Sequence, residues 1–111
     1  MQEFSGRTAV ITGGASGIGL GMARSFAKRG MHLVLADLDE ELLRAAEQEF
    51  SGAGVSVVSQ VCDASKLEDV ERLAEAAMDR FGAVHVVCSN AGVGLPTSAL
   101  NFKLSDWEWI I

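Results

Sequence analysis

Short apolar runs alternate with longer amphipathic ones along the chain. Arg7–Thr12, His32–Ala36, Val55–Val61 and Val84–Cys88 are brief and rich in Val, Ile, Leu and Ala. Near-continuous apolarity over so few residues suits strands covered on both faces, as in a parallel sheet. The intervening runs carry the helical period. Val70, Leu73, Ala74, Ala77, Met78 and Phe81 fall at i, i+3, i+4 and i+7, the stripe of one buried helix face, and Gly82 supplies the stop. A first helix runs from about Ile18 to Gly30. A second opens at Asp39 as N-cap, with Leu38 placed to staple onto Leu43. Ser65-Lys66-Leu67-Glu68 has the capping-box pattern and predicts the start of the third helix. A second box, Ser105-Asp106-Trp107-Glu108, predicts one more helix starting at the end of the sequence.

The predicted order is β-α-β-α-β-α-β, then a loop, then that last helix. Such alternation defines an α/β fold, a doubly wound parallel sheet with right-handed crossovers, ending after about four strands. Residues 1–111 read as one domain with no linker or repeat. The fourth strand would then be an exposed apolar edge that invites pairing.

Composition narrows the partners. The formal net charge is −6, with 49% hydrophobic and 22% charged residues. That balance argues against nucleic acid, whose phosphates need a basic face, and against anionic membrane surfaces. No run reaches the roughly 18 apolar residues of a membrane span, and the start lacks a secretory leader pattern. Cys62 and Cys88 sit in apolar runs and read as reduced core residues of a cytoplasmic protein. No Cys-x-x-Cys pair occurs and the two histidines lie apart from the cysteines, so no metal site is expected.

The candidate chemistry lies in Thr12-Gly13-Gly14-Ala15-Ser16-Gly17-Ile18-Gly19, between the first strand and the first helix. A Rossmann-type unit places a dinucleotide pyrophosphate at that corner. Gly13 permits a tight turn, Gly17 leaves room for the ligand, and Gly19 lets the helix approach the strand. The unpaired N–H groups of the helix and its dipole then face the phosphates. No Gly-Lys-Ser/Thr follows, which excludes a P-loop. Asp37, ending the second strand, can accept both hydroxyls of an adenosine ribose while repelling a 2′-phosphate. It could instead only support the helix opened at Asp39. The residues flanking the ribose site, Ser16 and Leu38, are not basic, which favours NAD over NADP.

Thr12 to Gly19 as Thr-Gly-x-x-x-Gly-Ile-Gly, Asp63 after the third strand and Asn90-Ala91-Gly92 after the fourth together resemble the short-chain dehydrogenase/reductase family. The spacing and the Asn-Ala-Gly argue against a methyltransferase, which also favours an acid at the end of strand two. The resemblance implies roles by position. Ser16, Gly17 and Ile18 would line the pyrophosphate, and Asp37 would hold the ribose. Asp63 with Cys62 and Ala64 would contact adenine. Asn90 would brace the central strands, and Ala91 and Gly92 would pass the adenosine side and the nicotinamide ribose. Blander readings stay open: Asp63 as the residue before the Ser65 box, Asn90 as a turn former. Ser89 departs from the family, which often has a second asparagine there.

The resemblance also implies hydride transfer between nicotinamide and a small alcohol or carbonyl, in a homo-oligomer. The family's chemistry needs an asparagine, a serine and a Tyr-x-x-x-Lys pair beyond the fourth strand. The sequence contains no tyrosine. No catalytic residue is assigned, so these 111 residues correspond to a cofactor-binding half and by themselves are expected to be inactive. The alternative is a non-catalytic NAD-binding module, or a half-domain that needs a partner chain.

Overall fold

The computed structural model describes residues 5–63, 65–89 and 109–110. Strands β1 (Thr8–Thr12), β2 (His32–Asp37), β3 (Val57–Val61), β4 (Val86–Ser89) and β5 (Trp109–Ile110) alternate with helices α1 (Gly17–Lys28), α2 (Glu40–Gly52) and α3 (Leu67–Phe81) as far as β4. All described pairings are parallel, in the order β3-β2-β1-β4-β5. β1 pairs with β2 from Thr8↔His32 to Thr12↔Ala36, and with β4 from Ala9↔Val86 to Thr12↔Ser89. The four expected strands and three expected helices are all present.

Why these runs are apolar throughout follows from the two faces of the sheet. Side chains alternate sides along a strand. Ala9 and Ile11 of β1, Leu33 and Leu35 of β2, and Val86 and Cys88 of β4 meet Ala23 and Phe26 of α1 and Leu43, Ala46 and Phe50 of α2. Val10, Val34, Ala36 and Val87 point the other way, against Val70, Leu73, Ala74 and Ala77 of α3. Each fully buried Val or Leu contributes roughly 1.5–3 kcal/mol by leaving water. β1 is buried at every position, whereas β3 has one strand neighbour and is only partly buried. Cys62 and Cys88 are free and lie in cores on opposite faces.

Two local readings hold and two do not. Asp39 caps α2, its carboxylate accepting the Leu42 N–H at 3.1 Å. Gly82 ends α3 in the left-handed conformation, φ 76°. The Ser65 box does not form. The N-cap of α3 is Lys66, and the Ser65 hydroxyl donates to Asp63 Oδ1 at 2.6 Å. An ionised carboxylate two residues back is a stronger partner for the hydroxyl than a helix N–H. Leu38 does not staple onto Leu43: it is 68% exposed while Leu43 is buried.

The expected last helix is also corrected. Its starting box, residues 105–108, lies outside the described residues, but Trp109–Ile110 form a strand beside β4, with Val87↔Trp109 and Cys88↔Ile110. Trp and Ile favour strands, and a sheet edge offers unpaired backbone groups that a strand satisfies and a helix cannot. β4 is therefore not a bare edge.

At the opposite end of the sheet, His85 joins β1 to the residues before β4. Its Nδ1 accepts the Thr8 N–H at 2.9 Å, and its own N–H donates to the Thr8 carbonyl at 3.0 Å. Thr8 is 1% exposed, so water is a poor substitute for that ring nitrogen. His85→Phe should cost about 1–3 kcal/mol, the penalty of an unpaired buried N–H. Urea unfolding measures it, and an unchanged midpoint would show that the bond contributes nothing.

Candidate functional site

The chain runs outward from β1 through β2 to β3, and α3 then returns it to the other side of β1. In sheets of this topology such a reversal sets the ligand crevice beyond the carboxyl ends of the two strands that flank it, here β1 and β4. The glycine turn follows the carboxyl end of β1.

The turn is shaped by three contacts. Gly13 takes φ 65°, in the region that favours glycine. The Gly14 N–H donates to the Ala36 carbonyl of β2 at 3.0 Å. A Cβ on Gly14 would lie 2.9 Å from the Ile11 carbonyl oxygen and 3.2 Å from Leu35 Cδ2, so the turn is pressed against the sheet. The Thr12 hydroxyl donates to the Cys88 carbonyl, joining β1 to β4 just below. Sequence reasoning gave Gly14 no role. The signal was its pairing with Gly13, but only the position of β2 explains the second glycine.

Beyond the turn, α1 presents its N-terminus to solvent. Ser16 is the N-cap, extended, and its side chain makes no capping bond. Gly17 takes φ 57°, with nothing within 4 Å of where a Cβ would sit. Ile18 is 74% exposed, whereas Gly19 is buried against the sheet. The first turn of α1 holds no acid, while α2 has Glu40 and Glu41 there and α3 has Glu68 and Asp69. The positive end of α1 is thus uncapped and unneutralised beside an open surface, an arrangement suited to an anion.

Asp37 ends β2 beside this turn. Its Oδ2 accepts the Ala15 N–H at 3.2 Å and its Oδ1 accepts the Asp39 N–H at 3.2 Å. The carboxylate therefore supports the start of α2, as one sequence reading had it, and also holds the glycine turn, which neither reading foresaw. Leu38 stands exposed beside it.

The loop after β3 joins the same edge. The Cys62 N–H donates to the Asp37 carbonyl at 3.0 Å. Asp63 Oδ1 accepts both the Ser65 hydroxyl and the Ser65 N–H, at 2.6 and 3.0 Å. Those bonds, the hydroxyl first, hold its carboxyl below the ordinary carboxylate range. Its contribution to folding is therefore present at neutral pH and lost as the pH falls through that lowered value. The Asp63 N–H donates to Asp69 Oδ2 at 2.9 Å, a partner that sequence reasoning missed. Burial pushes the Cys62 thiol up to about 11, with the Asp69 and Asp63 charges adding to it, and burial does the same to Cys88. The structure thus gathers Gly13, Ser16, Gly17, Ile18, Gly19, Asp37, Leu38, Cys62 and Asp63 along one sheet edge. Ala64, Asn90, Ala91 and Gly92 lie outside the described residues. Among the described residues no group of His, Cys, Asp and Glu forms a metal cluster, and no helix is long and apolar enough to cross a membrane.

An exposed helix N-terminus, an open glycine and a carboxylate at the end of β2 fit a ligand with a pyrophosphate and a ribose. Comparison with known proteins identifies the family. The short chain dehydrogenase family matches residues 7–111. A CLA biosynthesis dehydrogenase/reductase of Lactiplantibacillus plantarum is 35% identical over the whole chain, which spans 39% of that protein. A 1-deoxy-11-beta-hydroxypentalenate dehydrogenase of Streptomyces exfoliatus is 45% identical over 78% of the chain and 32% of its own length. The crystal structure of a short chain dehydrogenase/reductase from Burkholderia phymatum in complex with NAD superposes with TM-score 0.81 at 46% identity, covering 85% of this chain and 34% of that one. The chain belongs to the short-chain dehydrogenase family, and it spans roughly a third of the length of these relatives.

Two outcomes test the site's construction. Gly14→Ala forces a Cβ onto a main-chain carbonyl and should cost about 1–3 kcal/mol in urea unfolding, as overpacked sites do; wild-type stability would mean the turn yields freely. At pH 8 a thiol with a pKa near 11 is only about one part in a thousand thiolate. Alkylation of both cysteines by iodoacetamide should therefore be at least a hundredfold slower than that of a free thiol, and rapid labelling of either would contradict its burial.

Proposed function

We propose that this chain binds NAD(H) along the carboxyl edge of its sheet, as the cofactor-binding part of an oxidoreductase acting on a small alcohol or carbonyl. The observation that carries the proposal is the placement of Asp37. It lies at the end of β2, tied to Ala15 in the glycine turn, and the residues read from the sequence as flanking the ribose position are Ser16 and Leu38. A carboxylate there accepts hydroxyl hydrogens and repels a phosphate, and neither neighbour supplies the cation that a 2′-phosphate needs. The N–H groups of Gly17, Ile18 and Gly19 would hold the pyrophosphate, with Ser16 at its side. Cys62, Asp63 and Ala64 would border the adenine, Asn90 would brace the central strands, and Ala91 and Gly92 would pass the adenosine side and the nicotinamide ribose. The similar protein from Burkholderia phymatum, solved with NAD, supports the same ligand class here.

Bound nicotinamide would supply the hydride donor or acceptor. The residues of this chain contribute binding and orientation: they fix the phosphates and the ribose so that the ring is presented at the crevice. The tyrosine that the family resemblance implies for the proton transfer is not among these residues. That same fact favours the second reading, an NAD-binding module that does no chemistry itself or needs a partner chain to do it. Family relatives act on small molecules, and a homo-oligomer of a longer chain is the assembly we favour.

Calorimetric titration with NAD+ and NADP+ tests the proposal. NAD+ should bind more tightly than NADP+. Asp37→Ala should weaken NAD+ by about tenfold or more, the worth of hydrogen bonds to a charged group, and narrow the preference. Equal or tighter binding of NADP+ by the wild type would overturn the choice of NAD.

A further inference from the structure

We propose that Asp69, in the first turn of α3, is a positioning residue for the adenine half of the cofactor, fixing the Asp63 backbone so that the loop after β3 offers a preformed edge to the purine. The inference rests on the NAD(H) reading above. Its basis is a run of bonds that pins two consecutive residues from opposite sides. The Cys62 N–H is held by the carbonyl of Asp37, the residue assigned to the ribose. The next N–H, that of Asp63, is held by Asp69 Oδ2 at 2.9 Å. Arg72, one turn further along α3, donates to the other oxygen, Oδ1, so both oxygens of Asp69 are committed. The Asp69 side chain is only 17% exposed, against 61% for Arg72, so the pair turns its anionic end toward the loop.

A role confined to the helix explains less. An acid in the first turn stabilises a helix through the dipole, or by reaching back to the N-cap N–H, here that of Lys66. Asp69 reaches back beyond its own helix to a residue six positions earlier. The result is a defined orientation for Asp63. Its Oδ1 accepts both Ser65 donors, and its Oδ2 accepts no hydrogen bond among the described residues, the Lys66 ammonium acting on the carboxyl only through its charge. A carboxylate oxygen held free at this edge is complementary to the exocyclic amino group of adenine, which donates, and not to the carbonyl oxygen that hypoxanthine carries in its place. Fixing such an acceptor before the ligand arrives reduces the ordering cost of binding.

The test is calorimetry of the full chain with NAD+ and with nicotinamide hypoxanthine dinucleotide. The wild type should bind the hypoxanthine analogue less tightly than NAD+. Asp69→Ala should weaken NAD+ about tenfold and shrink that discrimination toward unity, while Asp69→Asn, which keeps an acceptor oxygen, should restore most of both. A general loss of structure would weaken the two dinucleotides equally and leave their ratio unchanged, which would overturn the inference, as would an Asp69→Ala protein with wild-type affinities. A second measurement needs no variant: the Asp63 amide of the ligand-free wild type should be protected from hydrogen exchange, and fast exchange there overturns the inference too. Failure of the wild type to bind either dinucleotide would instead overturn the NAD(H) reading itself, and this one with it.

Discussion

The carboxyl edge of this sheet is organised by the closeness with which the glycine turn lies against β2. A side chain at Gly14 would meet the Ile11 carbonyl at 2.9 Å, so the turn sits where it does only because position 14 lacks one. That approach brings the Gly14 N–H to Ala36 and the Ala15 N–H to Asp37. With the turn seated, α1 leaves the sheet with its uncapped end outward and its Ala23–Phe26 face inward. Next to it the Cys62 N–H, bonded to the Asp37 carbonyl, continues the β2–β3 ladder and brings the loop after β3 to the same edge. The contacts of the glycine turn with β2 are thus downstream of one missing Cβ.

The sheet that supports this edge is a two-sided core. α1 and α2 cover one face and α3 the other, and the alternation along β1, β2 and β4 divides their side chains cleanly between them. The crossing of the chain from β3 back to β4 through α3 gives β1 two parallel neighbours and opens the crevice beside them. The ion pair of Arg24 and Glu49, which bridges α1 and α2, is bidentate but exposed, so screening leaves it little to contribute beside the packed layers beneath.

Much of this was legible in the sequence because it depends on period and on local backbone rules. The four long strands, the stripe of α3, the Asp39 cap and the glycine stop at Gly82 all follow from short-range patterns. The misreadings share a different cause. Ser65 had the spacing of a cap, but its hydroxyl had a carboxylate available at Asp63, and competition between partners is not written in spacing. Leu38 had the position of a staple, yet it stands exposed at the carboxyl edge of the sheet. Trp109–Ile110 joined β4 because a sheet edge was there to join, which only the tertiary fold reveals. At the site, the residue types that suggest a dinucleotide were visible, as was the family. The bonds from Asp37 to the glycine turn and from Asp69 to Asp63 were not, since each joins residues from different elements across the edge.

If Asp37 holds the ribose as proposed above, it also bears on how readily such a protein would change its cofactor. Accepting a 2′-phosphate calls for removing the negative charge at the end of β2. Here the same two oxygens brace Ala15 and Asp39, so a substitution that admits the phosphate also frees the turn and loosens the start of α2. On that reading specificity and local order would be linked through one side chain, and the two could not drift independently. A lineage that exchanged one dinucleotide for the other would have to acquire a new support for the glycine turn first, or lose grip on both ligands along the way.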